Sequence, residues 1–409
     1  MSGWGVRMVG VLVAGAVACA GLAACTPEPE GPPVAVLFPG RADDAWGASA
    51  EVLRQELAGD GYAVEVRFAG DDIPRQLEQL REVLRAEPAA IVLAPVDATA
   101  IAAVLDEEAA PDVAVIAYDQ LVVDTAQVDY FATYDHRAAG RLQAQALVDG
   151  LGLGADPDAG PVAVELLAGS GDDRGAQEAF AGALEVLQPL IDAGRLAVPS
   201  GRVDLEQAAV LRGDPATAAA RVAALLDDGA TLAGVLSPSD AMSAAVAAVL
   251  AERGLEVRAP GGASTPDAGP GSGPDADAGD AEASDGGAGA PDADADGPDA
   301  DVDGPDADVA APETTPAPVA PPASVVLTGG GASLDGARAV QAGTQTATVY
   351  EDPRELARTV ASMVREVVRG SAPTVTRGAT TDNGIREVPT RLLEPRLVAT
   401  REDAAALLG

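Results

Sequence analysis

The stretch that decides the fold runs from Val115 to Gly152 and reads VIAYDQLVVDTAQVDYFATYDHRAAGRLQAQALVDGLG. It opens inside an apolar run, Val113–Ala117, which predicts a buried β-strand. Tyr118, Asp119 and Gln120 follow directly, so polar groups are presented where this strand leaves the sheet. Open α/β sheets bind their ligands at this carboxyl edge. We therefore expect Asp119 and Gln120 to contact a ligand, although Asp119 would equally suit the cap of the next turn.

The chain around this stretch alternates short apolar runs with Ala- and Leu-rich segments, from about residue 34 to residue 255. Such alternation predicts βα units and mostly parallel sheets with helices on their faces. The predicted strands are Val34–Phe38, Val64–Phe68, Ile91–Ala94, Val113–Ala117, Tyr130–Thr133, Val162–Leu167, Ala197–Gly201 and Ala233–Leu236. The predicted helices are Ala45–Ala58, Pro74–Glu87, Ala98–Glu108, Arg137–Gly150, Gly175–Ala193, Pro215–Asp228 and Ala241–Arg253. Asp97, Asp214 and Asp240 stand just before three of these helices as expected N-caps.

Composition excludes several classes of function. The 409 residues suffice for two medium domains, and 47% hydrophobic residues provide material for their cores. A net charge of −38 argues against nucleic acid and against adhesion to an anionic bilayer. Adjacent carboxylates such as Asp172 and Asp173 do not supply the opposed acid and base of a glycosidase. We expect no enzymatic activity and no cofactor.

The N-terminus predicts export and lipid attachment. A short apolar run from Met8 to Ala20 leads to Gly21-Leu22-Ala23-Ala24-Cys25, which matches a bacterial lipobox. Residues 1–24 would be the signal peptide, Cys25 the lipidated first residue and residues 25–33 a Pro-rich tether. The alternative is an uncleaved anchor, for which the run is short. We expect an extracytoplasmic protein anchored to the cell membrane, at the cell surface or in the periplasm.

Residues 259–323 differ in kind from the rest. They are mostly Ala, Gly, Pro and Asp, with no basic or aromatic residue, and this composition predicts disorder. A helix precedes the insert and a strand follows it, so we expect it at the sheet edge opposite the ligand loops. Part of a calcium-loop pattern occurs inside it, which leaves weak calcium binding as an alternative to a plain acidic linker. The ligands of that pattern would be Asp292, Asp294, Asp296 and Asp303.

The fold resumes at Ser324 with the strand Ser324–Thr328, the helix Leu334–Ala342 and the strand Thr346–Tyr350. A long helix, Pro353–Gly370, then leads to an end that reads as loops. The resulting division places a first lobe at 34–136, completed by about 352–384. The second lobe would be 137–258, completed by 324–351 and about 385–409.

The order of these motifs resembles the xylose-binding and multiple-sugar-binding proteins of bacterial ABC importers. In that family the opening stretch reads roughly V-I-A-Y-D-R-L-I, then V-D-Y-Y-A-T-F-D-N and G-x-L-Q-A. Further similar segments are Asp71–Gln79, Val164–Asp173, Leu236–Asp240 and Ala342–Thr346. The resemblance implies a type I periplasmic-binding-protein fold, with two α/β lobes, three crossings between them and a sugar held in the cleft.

Carried over position by position, the resemblance implies a ligand set that is partly kept. Trp46 and Asp119 keep their places, although Trp46 would also suit an ordinary helix-packing aromatic. Arg41 falls where the family often has Lys, and Ser239 is the better cleft candidate beside Asp240. Asp173 is kept before Arg174, which would otherwise be a solvated partner of the neighbouring carboxylates.

Other family positions are altered. Gln120 replaces an Arg, Gly213 a Trp, Gly331 a carboxylate and Glu351 a Lys. Each bidentate charged partner lost from a sugar hydroxyl pair removes about 1.5–3 kcal/mol per bond. The site therefore recognises a different ligand, binds weakly or has lost small-molecule binding, and Glu351 favours a ligand with a donor or positive group over an acid. His136, the single histidine, stands at the first crossing and is expected to make a hinge hydrogen bond.

The resemblance implies a solute-binding lipoprotein that delivers a small polar ligand, a carbohydrate or a derivative, to ABC permease subunits. Its partners would be that ligand, the permease and the membrane through the lipid; we expect no nucleic acid and a monomer. The alternative is a ligand-sensing or scaffolding lipoprotein that keeps the fold without transport.

Overall fold

The computed structural model describes residues 31–43, 45–110, 112–153, 161–261 and 324–409. These residues form two compact units. The first holds the described residues up to Asp135 together with Glu351–Pro395, and the second holds those of His136–Tyr350 together with Arg396–Gly409. The chain therefore passes from one unit to the other three times.

The first unit is built on a seven-stranded sheet. Its strands are β1 Pro33–Phe38, β2 Ala63–Phe68, β3 Ala90–Leu93, β4 Ala114–Tyr118, β5 Tyr130–Tyr134, β12 Thr380–Asp382 and β13 Glu387–Leu393. Their order in the sheet is β12-β13-β5-β4-β3-β1-β2, and all neighbouring pairs are parallel except β12 with β13. Its helices are α1 Ala45–Gly59, α2 Ile73–Arg85, α3 Ala98–Glu108 and α10 Pro353–Val368.

Strand β1 shows why this sheet is buried on both faces. Val34, Val36 and Phe38 pack into one core with α1 and α10, whereas Ala35 and Leu37 pack into another with α2 and α3. A strand with apolar residues on both faces is typical of a parallel sheet covered by helices on each side. Because β1–β5 and β13 run parallel, their carboxyl ends lie along one edge of the sheet.

The second unit also has a seven-stranded sheet. Its strands are β6 Val162–Leu166, β7 Leu196–Ala197, β8 Gly234–Leu236, β9 Glu256–Val257, β10 Ser324–Gly331, β11 Ala347–Tyr350 and β14 Arg396–Val398. Their order is β14-β11-β10-β8-β6-β7, with β9 also paired to β10, and among these pairs only that of β11 with β14 is antiparallel. Its helices are α4 His136–Leu151, α5 Arg174–Asp192, α6 Leu205–Ala208, α7 Pro215–Asp227, α8 Asp240–Glu252, α9 Asp335–Ala342 and α11 Arg401–Leu408, with a 3₁₀ turn at Leu211–Gly213.

The helices α4 and α5 pack closely on one face of this second sheet. A Cβ on Gly140 would lie 1.7 Å from the Ala179 carbonyl oxygen, and one on Gly182 would lie 2.0 Å from the Arg137 carbonyl oxygen. Only glycine allows two backbones to approach this closely. Phe180 and Leu187 of α5 are buried in the core that this contact closes.

Two α/β units with mostly parallel sheets confirm the predicted fold class. The predicted N-caps Asp97 and Asp214 are confirmed, since their carboxylates accept the N–H groups of Ala100 and Thr217 at 2.8 and 2.9 Å. The strand predicted at Ala197–Gly201 is wrong beyond Ala197, because only Leu196–Ala197 pairs with β6.

The end of the chain differs from the predicted loops. Residues 385–395 belong to the first unit, because β13 pairs in parallel with β5 over Thr390–Leu393. Assigning everything from about residue 385 to the second lobe was therefore wrong. Only the part from Arg396 onward, β14 and α11, belongs there.

Several predictions lie outside the described residues: the signal peptide, the lipidated Cys25, the disorder of the acidic insert and the calcium pattern at Asp292, Asp294, Asp296 and Asp303. The chain next to the insert is described. Arg258 donates its N–H to Val325, at the amino end of β10, as expected for an insert opposite the carboxyl edge. Within the described ranges no helix is long and apolar enough to cross a membrane, and no cluster of His, Cys, Asp or Glu could hold a metal.

Candidate functional site

The carboxyl edge of the first sheet carries a cluster of aromatic rings. Phe38 ends β1, Tyr118 ends β4, and their ring centroids lie 4.9 Å apart. Trp46, in the first turn of α1, lies 5.1 Å from Phe38 and 6.2 Å from Tyr118. The two strands flank β3 in the sheet, and Ala94, which follows β3, is fully buried in the same core as both rings.

Trp46 therefore packs on this cluster while remaining half-exposed. Tilted rings at these separations attract one another and fix the orientation of the indole. A held, half-exposed indole is suited to stack on the C–H face of a sugar, and it also serves ordinary helix packing. Its role as a ligand contact stays a prediction.

Asp119 follows Tyr118 in a strained turn. The Gln120 N–H donates to the Tyr118 carbonyl at 2.6 Å, and this closes a three-residue turn around Asp119, whose φ is 60°. A non-glycine residue in this conformation is uncommon and strained, and such strain is concentrated at binding sites. The Thr133 hydroxyl donates to Asp119 Oδ1 at 3.2 Å. Gln120 is exposed and follows a carboxylate that Thr133 already orients.

Two tyrosines fix the start of α10 beside these loops. The Tyr118 hydroxyl donates to the Pro353 carbonyl at 3.2 Å, and the Tyr134 hydroxyl donates to the Asp352 carbonyl at 2.9 Å. Burial raises the pKa of both phenols, so both remain donors at neutral pH. Glu351, half-buried, comes just before this anchored segment, and its charge contributes to the raised pKa of Tyr134.

Arg41 lies in the loop after β1 and is largely exposed. Its Nε lies 3.1 Å from Asp43 Oδ1, within the same loop. An exposed pair of this kind stabilises little, which leaves the guanidinium able to exchange its partner for a ligand.

At the carboxyl edge of the second sheet, the loop after β6 leads into α5. Asp173 is the N-cap of this helix, since one of its carboxylate oxygens accepts the Gly175 N–H at 2.8 Å. Arg174, the first residue of α5, is exposed beside it. The Ser170 hydroxyl donates to Asp172 and lowers the pKa of that carboxyl, and it accepts the Arg212 N–H at 2.9 Å. This loop is therefore tied to the loop before α7.

The N-cap of α8 is Ser239, not Asp240 as predicted. Ser239 has extended dihedral angles and its hydroxyl accepts the Met242 N–H at 3.3 Å, whereas Asp240 is the first helical residue. Both are good capping residues, so sequence does not decide between neighbours. Because the Ser239 oxygen satisfies a helix N–H, its role as a ligand contact stays a prediction.

Asp240 instead forms a polar network that sequence reasoning missed. Its Oδ1 accepts from Gln345 Nε2 at 2.8 Å and from the Thr348 hydroxyl at 2.7 Å. Burial raises the pKa of this carboxyl. The one sequence signal was a pair of polar residues at the strand β11, with Gln345 just before it and Thr348 within it.

The same network explains the glycines that end β10. A Cβ on Gly329 would lie 2.4 Å from Gln345 Nε2 and 2.5 Å from Asp240 Oδ1, and a Cβ on Gly330 would lie 2.4 Å from Gln143 Nε2. Gly331 has a φ of 151° and lies beside Asp240 Oδ2. Because the residues of the run Gly329–Gly331 lack a Cβ, polar side chains can pack against the end of β10.

The loop before α7 presents a second unpredicted feature. Leu211 is 71% exposed, and Arg212 after it has a φ of 55°. Gly213 takes the place where the resemblance implies an aromatic residue. This strained turn is tied to the β6 loop through Ser170. Its exposed leucine therefore offers an apolar surface at the carboxyl edge of the second sheet.

The predicted site residues therefore fall into two groups. In the first unit, Arg41, Asp119 and Gln120 lie on carboxyl-edge loops, Trp46 lies in the first turn of α1, and Glu351 precedes α10. In the second unit, Asp173 and Ser239 lie on the corresponding loops, and Arg174 is the first residue of α5. His136, the first residue of α4, has its imidazole beside Gly175, and its hinge role stays a prediction.

Comparison with known proteins identifies the relatives of this chain. A model of the family described as periplasmic binding protein domain matches residues 34–269. The multiple sugar-binding periplasmic receptor ChvE of Rhizobium radiobacter is 30% identical over 88% of this chain and 85% of its own length. The multiple sugar-binding periplasmic protein SbpA of Azospirillum brasilense is 31% identical over 89% of this chain and 85% of its own length.

A similar solved structure is an ABC transporter solute-binding protein from Clostridium phytofermentans with bound β-D-glucose. It aligns with a TM-score of 0.68 and 23% identity, over 92% of this chain and 96% of the other. At that identity the likeness establishes the fold alone.

Proposed function

Because this chain belongs to the periplasmic binding protein domain family, we propose that it is the extracytoplasmic solute-binding protein of an ABC sugar importer. It binds a carbohydrate and delivers it to the permease. The observation that carries this proposal is the similarity, along nearly the whole chain, to two multiple sugar-binding periplasmic proteins. The family is one of binding proteins, in agreement with the expectation that the chain is not an enzyme.

In each unit, the candidate residues at the carboxyl edge of the sheet carry groups of the kind that a sugar needs. Trp46 offers a ring face for C–H groups, while Asp119, Asp173 and Glu351 offer acceptors for hydroxyls, and Arg41 and Arg174 offer donors. Gln120 and Ser239 add neutral polar groups. This set is richer in acceptors than in donors, so it favours neutral or amino sugars over sugar acids.

A thermal-shift screen tests this function. We expect neutral pentoses and hexoses or amino sugars to raise the melting temperature, because a ligand at a hundred times its Kd adds about 2.7 kcal/mol to the folded state. Sugar acids serve as the matched charge control and should give a smaller shift. A preference for acids would contradict the assignment of Glu351, and no shift with any sugar would favour the sensing or scaffolding role.

The protein is further proposed to be held at the membrane through lipid on Cys25. The support is the sequence Leu22-Ala23-Ala24-Cys25 after a short apolar run. We expect the wild-type protein, expressed in a bacterium, to incorporate labelled palmitate and to fractionate with membranes. Cys25→Ser should abolish the label and release the protein, and equal labelling of this variant would disprove the assignment. Cys19→Ser, inside the predicted signal peptide, is the matched control.

A further inference from the structure

A cavity of about 560 Å³ lies in the second unit, away from the loops described above. Its wall is formed by the segment after β7 and by the outer side of α7. Ser200 and Arg202 come from the first, and Arg221 and Asp228 from the second. None of the residues predicted to contact the sugar lines this cavity.

The carboxylate of Glu165 is buried next to this cavity. Glu165 is on β6, and its side chain is fully buried. Among the described residues neither of its oxygens has a hydrogen bond of good geometry, although the Ser200 hydroxyl is close by and Arg202 Nη1 lies 3.6 Å from Oε1. Burial raises the pKa of this carboxyl, and the Ser200 hydroxyl with the two nearby arginines offsets part of the rise. A buried carboxylate with so few hydrogen bonds is costly, and the two arginines beside it reduce that cost.

Two guanidinium groups face this cavity. Arg221 is held in place, because it donates to the carbonyls of Ala208 and Ala209 at 3.0 and 2.7 Å. Burial lowers the pKa of Arg221, and repulsion by Arg202 lowers it further. The Arg202 side chain is 37% exposed, so part of its fork faces solvent.

The charges at this end of the cavity do not balance. Glu165 supplies one negative charge for the two positive charges of the guanidinium groups, and it is too far from Arg202 for a good hydrogen bond. Asp228 also lines the cavity, but it follows α7, more than a helical turn beyond Arg221. A local excess of positive charge thus persists in a chain whose net charge is −38.

We propose that this cavity is a binding site for a small anion, a carboxylate or phosphate group held between Arg202 and Arg221. An arginine fork binds either group through charge-assisted, bidentate hydrogen bonds. The bound anion would relieve the repulsion between the two arginines. Glu165 lies on the inner side of Arg202 and competes with the anion for its charge.

Calorimetric titration of the full-length protein with inorganic phosphate, and separately with acetate, tests this site. We expect saturable binding at one site, and the two titrations tell which of the two groups is preferred. Arg202→Gln should weaken binding about tenfold or more, because it removes a charged bidentate donor. Glu165→Gln keeps the side-chain volume but removes the competing charge, so it should strengthen binding.

Arg338→Gln is the matched control, since Arg338 is an exposed arginine of the same unit that pairs with Asp335 within its own helix. Circular dichroism verifies that each variant is folded. No saturable binding to the wild type, equal weakening by Arg338→Gln, or weaker binding after Glu165→Gln would each overturn the proposal. Because the probes carry no sugar, these outcomes are independent of carbohydrate binding.

Discussion

Replacing Gly140 by Ala is expected to destabilise the second unit by about 3 kcal/mol. The added methyl group would lie 1.7 Å from the Ala179 carbonyl oxygen and 2.6 Å from the carbonyl carbon. Both are backbone atoms, so α4 and α5 must move apart, and the core behind Phe180 loosens with them. The gain in helix propensity, about 1 kcal/mol, does not offset this. The melting temperature should fall by roughly 6–12 °C.

Gly59→Ala is the matched control for this prediction. Gly59 is also a helical glycine, but a Cβ there would have no neighbour within 4 Å. It should leave the melting temperature unchanged or raise it slightly, because alanine is the better helix former. Differential scanning calorimetry of the two variants makes the comparison. Equal melting temperatures would show that the α4–α5 contact is not as close as described.

Asp119→Ala is expected to weaken sugar binding about a hundredfold. Two hydrogen bonds from sugar hydroxyls to a carboxylate are together worth about 3 kcal/mol, which corresponds to that ratio of Kd. Asp119→Asn should have a smaller effect, because asparagine tolerates the positive φ and keeps an acceptor oxygen. Isothermal titration calorimetry with the tightest sugar from the screen measures both variants.

Glu87→Ala controls for the backbone in this experiment. Glu87 is another exposed acidic residue with a positive φ, 48°, but it precedes β3 and so lies at the opposite edge of the first sheet. Its replacement imposes a similar strain without touching the carboxyl-edge loops. If Glu87→Ala weakened binding as much as Asp119→Ala, loss of stability rather than loss of a ligand contact would explain both.

The βα units could be predicted from sequence because their signals are local. Apolar runs such as Val34–Phe38 and Val113–Ala117 are bounded by polar loops, and Asp97 and Asp214 mark helix starts by their capping chemistry alone. From β1 to α8 the structure places these elements within a residue or two of the expected ends, except the strand predicted at Ala197–Gly201, which ends at Ala197.

The strand β13 could not be predicted in the same way. It contains Pro389 and several polar residues, which argue against a strand, and it is stabilised by pairing with β5, more than 250 residues earlier. Only the folded chain brings these segments together. The lobe assignment of residues 385–395 failed for that reason.

The candidate site, too, could be predicted only in part from the sequence. Positions on the loops followed from the rule that ligand sites lie at carboxyl edges, and Trp46, Asp119 and Arg174 do lie there. The contacts of each side chain did not follow. Asp240 binds Gln345 and Thr348 across about a hundred residues, and Glu165 on β6 lies beside Arg202 from the segment after β7.

The decisive question is whether this chain binds a sugar at all, because four positions differ from those that the resemblance implies: Gln120, Gly213, Gly331 and Glu351. Calorimetric titration of the wild-type protein with D-glucose, D-xylose and an amino sugar answers it most directly. We expect saturable binding of at least one of these, with one site per chain and a clear loss in Asp119→Ala. Absence of binding to all carbohydrates, by a protein that calorimetry shows to be folded, would contradict the proposed function.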